Sequence, residues 1–248
     1  MTRYPIYIPS KGRADRCLTA DLLQKEGTDF RIVVEPQDEA AYAERYFRDN
    51  LIVLPWNDPG HVAFARQFIA DYSFRNGDKR HWQLDDDVKR FTRYTGMKHI
   101  KISAAEALTL MEDFTDRYAN VMISGPMYST YAFTAKKPFM VNGLCASVWL
   151  AFNTDQFQWR CVNEDIDYCI QVLSAGFCTI RFNAITCDMV STDEDSVQYA
   201  NSDSRIKTIR KTQSLWPGVP IKVQAHGGRI NTAQIWRHFK TRLRRVGA

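Results

Sequence analysis

The segment HWQLDDDVKR, residues 81–90, places three consecutive aspartates directly after a short apolar run. The apolar part predicts a buried strand that ends at Asp85. Adjacent carboxylates repel one another, so a chain that presents three of them at a strand end offers them to a metal ion, a basic group or solvent. An acidic turn is the structural alternative, because aspartate is common in turns.

Strand-like and helix-like segments alternate in the chain up to this point. Each predicted strand runs into a polar turn, and an apolar pattern of helical spacing follows the first three. The predicted strands are residues 4–9, 30–34, 51–55 and 82–84, and the predicted helices start near Leu18, Ala40 and Val62. Such alternation is typical of a parallel sheet with helices on both faces.

The second half of the chain predicts a different pairing. Ser103 and Glu106 have capping-box spacing, and Asn163 predicts the cap of a helix that stops at Gly176. Further strands are predicted at residues 120–123, 139–144, 147–152 and 178–182. Short strands around a glycine-containing bend favour mixed or antiparallel pairing. We therefore expect an α/β protein with a Rossmann-like mixed sheet flanked by helices.

One rim of this sheet collects the candidate binding residues. Ligands of open α/β sheets bind beyond the carboxyl ends of the strands, which brings together the loop Ser10–Arg13, Glu35 and the aspartate triplet. The loop offers a hydroxyl, two cations and an unhindered glycine, which suits phosphate or nucleotide recognition. A plain surface turn is the alternative for the loop.

Asp85 and Asp87 are the candidate metal ligands, because alternate residues of a strand share a face. Carboxylate oxygens suit Mg²⁺ or Mn²⁺, which also bind substrate phosphates. Asp86 would point elsewhere. His226, in a glycine-rich context, is a candidate to complete the metal site, with a surface-loop histidine as the alternative.

Glu164 and Asp165 follow Asn163 at the start of a predicted helix. Acids in a first turn stabilise the helix dipole, which is a sufficient structural explanation. A carboxylate there is also a candidate general base toward an acceptor hydroxyl. Arg66 lies one position beyond the apolar stripe of its helix and is a candidate for reaching the rim, with a solvated arginine as the alternative.

The net charge of +5 conceals an uneven distribution. Residues 207–248 contain ten Lys or Arg and no Asp or Glu, whereas 23 basic and 28 acidic residues precede them. This asymmetry predicts contact with a polyanion, with a solvated tail as the alternative. We therefore divide the chain into a domain of residues 1–206 and a basic extension of residues 207–248 that packs on or closes the active site. Its candidate nucleic-acid contacts are Arg237, Lys240, Arg242, Arg244 and Arg245.

Composition excludes some classes of protein. No apolar run approaches the roughly 20 residues of a membrane span, and the amino terminus lacks a signal-like apolar core. We expect a cytoplasmic protein. The six cysteines form no Cys-x-x-Cys pair, so we interpret them as reduced and mostly buried.

The order of motifs resembles the GT-A class of nucleotide-sugar glycosyltransferases over residues 4 to about 190. The matching elements are PSKGR (residues 9–13), Glu35, Arg66, LDDDV (residues 84–88) and NEDIDYCI (residues 163–170). The resemblance implies that Asp85 and Asp87 hold Mn²⁺ or Mg²⁺ on the donor diphosphate and leave Asp86 to hold the donor sugar or ribose. His226 would complete the metal site, although its match to the family pattern is loose. Asp165 or Glu164 would be the acceptor-side base. The implied donor-binding residues are Pro9, Ser10, Lys11, Arg13, Glu35, Arg66 and Asp86.

More narrowly, IPSKGR together with QLDDDV is similar to the phage glycosyltransferases associated with TET/JBP-type DNA hydroxylases. This implies transfer from a nucleotide sugar, in particular a UDP-sugar, to a hydroxymethylated pyrimidine such as 5-hydroxymethylcytosine in DNA, in the cytoplasm of an infected bacterium. Three alternatives remain at this point: a glycosyltransferase acting on envelope polysaccharide or lipid, a nucleotidyltransferase, and a non-catalytic DNA-binding module.

Overall fold

The computed structural model describes residues 1–58, 61–160, 163–190, 202–223, 230–231 and 233–247. The strands are β1 (Ile6–Pro9), β2 (Arg31–Val34), β3 (Leu51–Val53), β4 (Arg80–Leu84), β5 (Val88–Tyr94), β6 (His99–Ile102), β7 (Val121–Tyr128), β8 (Phe139–Val141), β9 (Val148–Phe152), β10 (Cys178–Met189), β11 (Lys222–Val223) and β12 (Ile230–Asn231). The helices are α1 (Leu18–Lys25), α2 (Glu39–Arg45), α3 (Val62–Arg75), α4 (Ala104–Thr115), α5 (Ser129–Ala132), α6 (Glu164–Ser174), α7 (Ser202–Leu215) and α8 (Ala233–His238).

The main sheet has the strand order β3-β2-β1-β4-β9-β7-β10-β5-β6, and β8 also pairs with β10. β1 pairs in parallel with β2 and β4, and β9 is antiparallel to both β4 and β7. Helices flank the sheet, so the predicted mixed α/β architecture is confirmed. The order also places the carboxyl ends of β1, β2 and β4 side by side on one rim.

Strand β4 leads from the core to this rim. All of its residues are buried, and the indole of Trp82 donates a hydrogen bond to the Glu112 carboxylate of α4 at 2.8 Å. The predicted capping box of α4 is confirmed on its serine side, since Ser103 Oγ accepts the Glu106 N–H at 3.1 Å. Local sequence patterns thus correctly predict the elements that support the triplet.

The hairpin of β5 and β6 directly follows the triplet, and the sequence analysis missed it. The burial pattern of β5 places two exposed residues together and two buried residues together. Strict alternation is the pattern by which a strand is recognised. Pairing with β10 on one side and β6 on the other is what makes this segment a strand.

The basic extension is not separated from the rest of the chain. Its predicted boundary, between residues 206 and 207, falls inside α7. Ile209, Ile235 and Trp236 are buried in the same apolar cluster as Ile170 of α6. Parts of residues 207–247 therefore pack against the same apolar cluster as α6.

The final residues lie at the opposite end of the strands from the rim, where β7 begins. Asn120, just before β7, donates to the Arg242 carbonyl at 2.9 Å and accepts the Arg244 N–H at 2.8 Å. β7 spans roughly 23 Å at 3.3 Å per residue. This terminal segment therefore does not close the rim. No helix in the described ranges is long and apolar enough to cross a membrane.

Candidate active site

A cavity of about 540 Å³ opens at the carboxyl ends of β1, β2 and β4. The residues predicted for donor binding line it, with both predicted metal-binding aspartates and one candidate base. They are Pro9, Ser10, Lys11, Arg13, Glu35, Arg66, Asp85, Asp86, Asp87 and Glu164. Asp165 is not part of this lining, and His226 lies outside the described residues. The volume suits a small-molecule or cofactor site.

Asp86 fastens the loop Ser10–Arg13 to the triplet. Ser10 Oγ donates to one carboxylate oxygen at 2.5 Å, and Arg13 Nη1 donates to the other at 2.7 Å. Burial raises the pKa of Asp86, against the opposing effects of the Ser10 hydrogen bond and the Arg13 charge. Gly12 has a φ of 62° in this loop, a conformation that glycine adopts without steric cost. Both oxygens of the carboxylate predicted to hold a sugar or ribose are therefore already engaged by protein.

Asp85 directly follows the end of β4, as predicted, but Asp86 and Asp87 form a turn, so the strand alternation from which the convergence of Asp85 and Asp87 was inferred is absent, although both residues line the cavity. Asp85 accepts Arg66 Nη2 at 2.7 Å, and its N–H donates to the Ser147 carbonyl at 2.8 Å. Asp87 Oδ1 is buried without a hydrogen-bond partner among the described residues. Burial, with the charges of Asp85 and Asp86, raises the pKa of Asp87 to about 7. Asp87 is thus the carboxylate left with an unsatisfied oxygen.

Arg66 is almost wholly buried, with 2% of its surface exposed. Its guanidinium lies 4.0 Å from the ring centre of Trp149 and 5.5 Å from that of Trp159. Within the described ranges, Nε and Nη1 have no hydrogen-bond partner, although Glu164 Oε1 lies 4.0 Å from Nε. A buried guanidinium with free N–H groups at a cavity wall is suited to bind a phosphate.

Glu164 and Asp165 begin α6, and Asn163 occupies the predicted N-cap position. Its side chain makes no capping hydrogen bond, however, and its Nδ2 donates to Thr212 Oγ1 of α7 at 3.0 Å. Burial and the neighbouring Glu164 carboxylate raise the pKa of Asp165 to about 7. A carboxylate with such a pKa is suited to general-base chemistry near neutral pH.

Sequence comparison decides the class of protein to which this cavity belongs. The TET-Associated Glycosyltransferase family matches residues 4–198, which include the loop, the triplet and the acidic pair. The chain belongs to this family. The protein is therefore a glycosyltransferase, and the resemblance drawn from its motifs is confirmed.

Solved structures similar to this TET-associated glycosyltransferase include enzymes of two transferase classes. The glycosyltransferase GlyE of Streptococcus pneumoniae TIGR4 is 17% identical with a TM-score of 0.37, and the match covers 61% of this chain but only 34% of GlyE. The inositol-1-phosphate CTP transferase of T. maritima is 12% identical with a TM-score of 0.43, covering 86% of this chain and 97% of that one. No curated protein sequence matches the chain.

Three residues of the TET-associated glycosyltransferase site were missed by the sequence analysis. Trp149 and Trp159 enclose Arg66, and Ser147 holds Asp85. Ser147 has a φ of 62°, which is uncommon for a residue other than glycine. Its Oγ is 2.7 Å from the hydroxyl of Tyr128. A lone serine in a loop carries no sequence signal for such a role, because the strain arises from its tertiary partners.

Substitutions of Ser147 test whether its backbone conformation matters more than its hydroxyl. We expect Ser147→Val to lower the free energy of unfolding by about 1–3 kcal/mol, because a β-branched residue is strained at positive φ. Ser147→Gly keeps the backbone conformation and should lose less than Ser147→Val. Urea unfolding of both variants measures this difference, and equal losses would contradict the role assigned to the backbone.

None of the five predicted nucleic-acid contacts lines the cavity. Arg242, Arg244 and Arg245 are exposed beside the start of β7. Arg237 and Lys240 are exposed at the end of α8 and just after it. The sequence located an excess of positive charge but not the face on which it lies.

Proposed function

We propose that this TET-associated glycosyltransferase moves a sugar from a nucleotide-sugar donor to the hydroxymethyl group of a modified pyrimidine in DNA. The observation that carries the donor half is Arg66, because it lines the same cavity as the triplet and two of its buried nitrogens have no hydrogen-bond partner among the described residues. A sugar donor presents a diphosphate, the group that a buried guanidinium recognises best. The acceptor half rests on the family.

The nucleoside end of the donor would lie along the loop Ser10–Arg13. Lys11 Nζ is 2.8 Å from the buried Glu35 carboxylate, and the Gly12 N–H donates to Asp38 at 2.9 Å. These contacts hold polar groups of both signs at the cavity wall, where a base and ribose have donors and acceptors to satisfy. We propose a UDP-sugar, as the motif resemblance implies.

A divalent cation, Mn²⁺ or Mg²⁺, fits the residues present. Asp87 offers a buried oxygen without a partner, and Asp85 lines the same cavity. The described part of the chain contains no group of three or more His, Cys, Asp or Glu side chains that could hold a metal ion by itself, so the proposed site needs substrate phosphates beside one or two carboxylates, as Mg²⁺ sites in phosphate-transferring enzymes commonly have. When bound, the cation would neutralise charge on the departing diphosphate. The role of His226 stays a prediction.

Asp165 or Glu164 would remove the proton from the acceptor hydroxyl. The hydroxyl oxygen then forms a bond to the anomeric carbon of the sugar, while the bond from that carbon to the diphosphate breaks and a nucleoside diphosphate leaves. One correctly placed carboxylate is sufficient for this proton transfer. The acidic pair favours an inverting reaction.

The experiment that tests this function incubates nucleotide sugars and Mn²⁺ with DNA that contains 5-hydroxymethylcytosine. Nucleoside mass spectrometry should detect a sugar-modified base with one donor, and the co-product should be a nucleoside diphosphate. Release of pyrophosphate would instead indicate a nucleotidyltransferase. No modified base with any donor would contradict a DNA acceptor.

The pH profile of transfer gives a second test. We expect transfer to slow as pH falls through about 7, because the raised pKa of Asp165 leaves its carboxyl group protonated, and unable to act as a base, below that value. Above it the base is ionised and the rate should level off. In Asp165→Asn and Glu164→Gln, the variant that removes the base should lose both activity and this inflection. An inflection near pH 7 in both variants would exclude the pair as its source.

A further inference from the structure

The β5–β6 hairpin carries a concentration of positive charge that no functional assignment has used. Residues 88–105 contain five Lys or Arg and no Asp or Glu, and residues 129–138 add two lysines and no acid. Among the described residues, only Arg90 of these seven forms an ion pair, with Asp188. The other six are exposed and free of carboxylate partners within the described ranges.

The hairpin lies at the rim half of the sheet. The register of β10 against β7 shifts between Phe182 and Thr186, so Pro126 pairs with Phe182 and the next residue, Met127, with Thr186. The second half of β10 therefore accompanies only the last two residues of β7. β5 pairs with this second half of β10, and β6 pairs with β5. The hairpin therefore lies toward the rim end of these strands and not at the end where Arg242 lies.

Exposed aromatic rings adjoin the basic side chains. The short helix α5 packs against this face of the hairpin, with Ser129 Oγ 3.5 Å from Thr92 Oγ1 and donating to Thr186 Oγ1 at 3.1 Å. Lys101 pairs with Thr92 and shares its face. In and just after α5, Tyr131 is 53% exposed and Phe133 is 70% exposed. Lys101 and these exposed rings therefore lie on the same side of the hairpin.

This side of the hairpin is connected to the triplet by direct contacts. Asp85 is held by Ser147, whose Oγ meets the Tyr128 hydroxyl, and the Tyr128 ring lies 6.3 Å from that of Tyr131. These contacts link the start of the rings' segment, at Tyr128 and Tyr131, to the loop that holds Asp85.

We propose that the basic rim surface, defined as Lys101, Tyr131, Phe133, Lys136 and Lys137, binds the acceptor as single-stranded or locally opened DNA. The lysines contact phosphates, and a base beside the target stacks on an exposed ring. Basic grooves with aromatic platforms bind single strands in this way. Exposing the hydroxymethyl group also requires the target base to leave a duplex stack. This inference rests on the proposed DNA acceptor.

Charge reversal at two matched sites tests the surface. Single-stranded DNA binding is measured by fluorescence anisotropy over a salt series for Lys101→Glu with Lys136→Glu and for Arg242→Glu with Arg244→Glu. The first pair should weaken binding and make the salt slope shallower by about 1.4, because each single-strand phosphate contact contributes about 0.7. The second pair should bind within twofold of wild type. Equal weakening, or a larger effect of the second pair, would overturn the proposal.

A ring substitution provides an independent measurement. Phe133→Ala should weaken single-strand binding about tenfold, since stacking of one base on an aromatic ring contributes 1–3 kcal/mol. Phe47→Ala, which truncates a ring of similar exposure outside the surface, serves as the control and should have no effect. Equal effects of both substitutions would contradict stacking on Phe133. If the variants bind DNA as expected but the wild-type protein transfers no sugar, the DNA-binding surface is supported and only the proposed function is refuted.

Discussion

Arg66→Met is expected to lower kcat/KM for sugar transfer by about 10²–10³-fold, the usual effect of removing one donor that stabilises transition-state charge. The same substitution should lower the free energy of unfolding by less than about 3 kcal/mol, because it breaks the hydrogen bond from Nη2 to Asp85 but also removes buried groups that lack a partner. Methionine removes two buried nitrogens, Nε and Nη1, whose N–H groups have no partner in the described part of the chain, and each such nitrogen costs about 1–3 kcal/mol. Lost stacking on Trp149 offsets part of this gain.

The matched control is Arg80→Met. Arg80 is equally buried, but its Nε donates to Asp116 at 3.0 Å and its Nη2 to the Val121 carbonyl at 3.0 Å. Its removal breaks a buried pair and should lower stability by about 3 kcal/mol. Activity assays and urea unfolding on both variants separate the two roles. A large loss of stability in Arg66→Met with transfer preserved would mean that Arg66 is structural.

Asp87→Asn is expected to lower transfer by about 10³-fold or more, because a metal acting as Lewis acid contributes several kcal/mol to the barrier. The amide keeps the size of the carboxylate but not its charge. In the wild type, Mn²⁺ added together with UDP should raise Tm, since a ligand that binds only the folded state stabilises it. This increase should be absent in the variant.

Asp155→Asn is the control, because Asp155 is exposed and does not line the cavity. It should retain wild-type transfer and the wild-type response to Mn²⁺. Full transfer by Asp87→Asn in the presence of a chelator would rule out the metal role assigned to the triplet.

The sequence by itself determined much of the amino-terminal half. The strands β1 to β4 are short apolar runs that end in polar turns, and this pattern can be recognised from neighbouring residues alone. The rule that ligands bind beyond parallel strand ends then sufficed to bring Ser10, Glu35 and Asp87 to one cavity. The excess of basic residues after residue 206 was equally readable, because charge is a property of composition.

Only the tertiary structure decided what these groups contact. Asp86 is engaged by Ser10 and Arg13, Arg66 is enclosed by two tryptophans, and Ser147 is held at positive φ beside Asp85. Each of these arrangements depends on residues distant in the chain, so no local pattern encodes it. The positions of the two basic segments also depend on tertiary structure. Strand pairing places the hairpin toward the rim, and hydrogen bonds to Asn120 hold the final residues at the opposite end of the strands. Strand register and chain direction, not charge, determine where such segments lie.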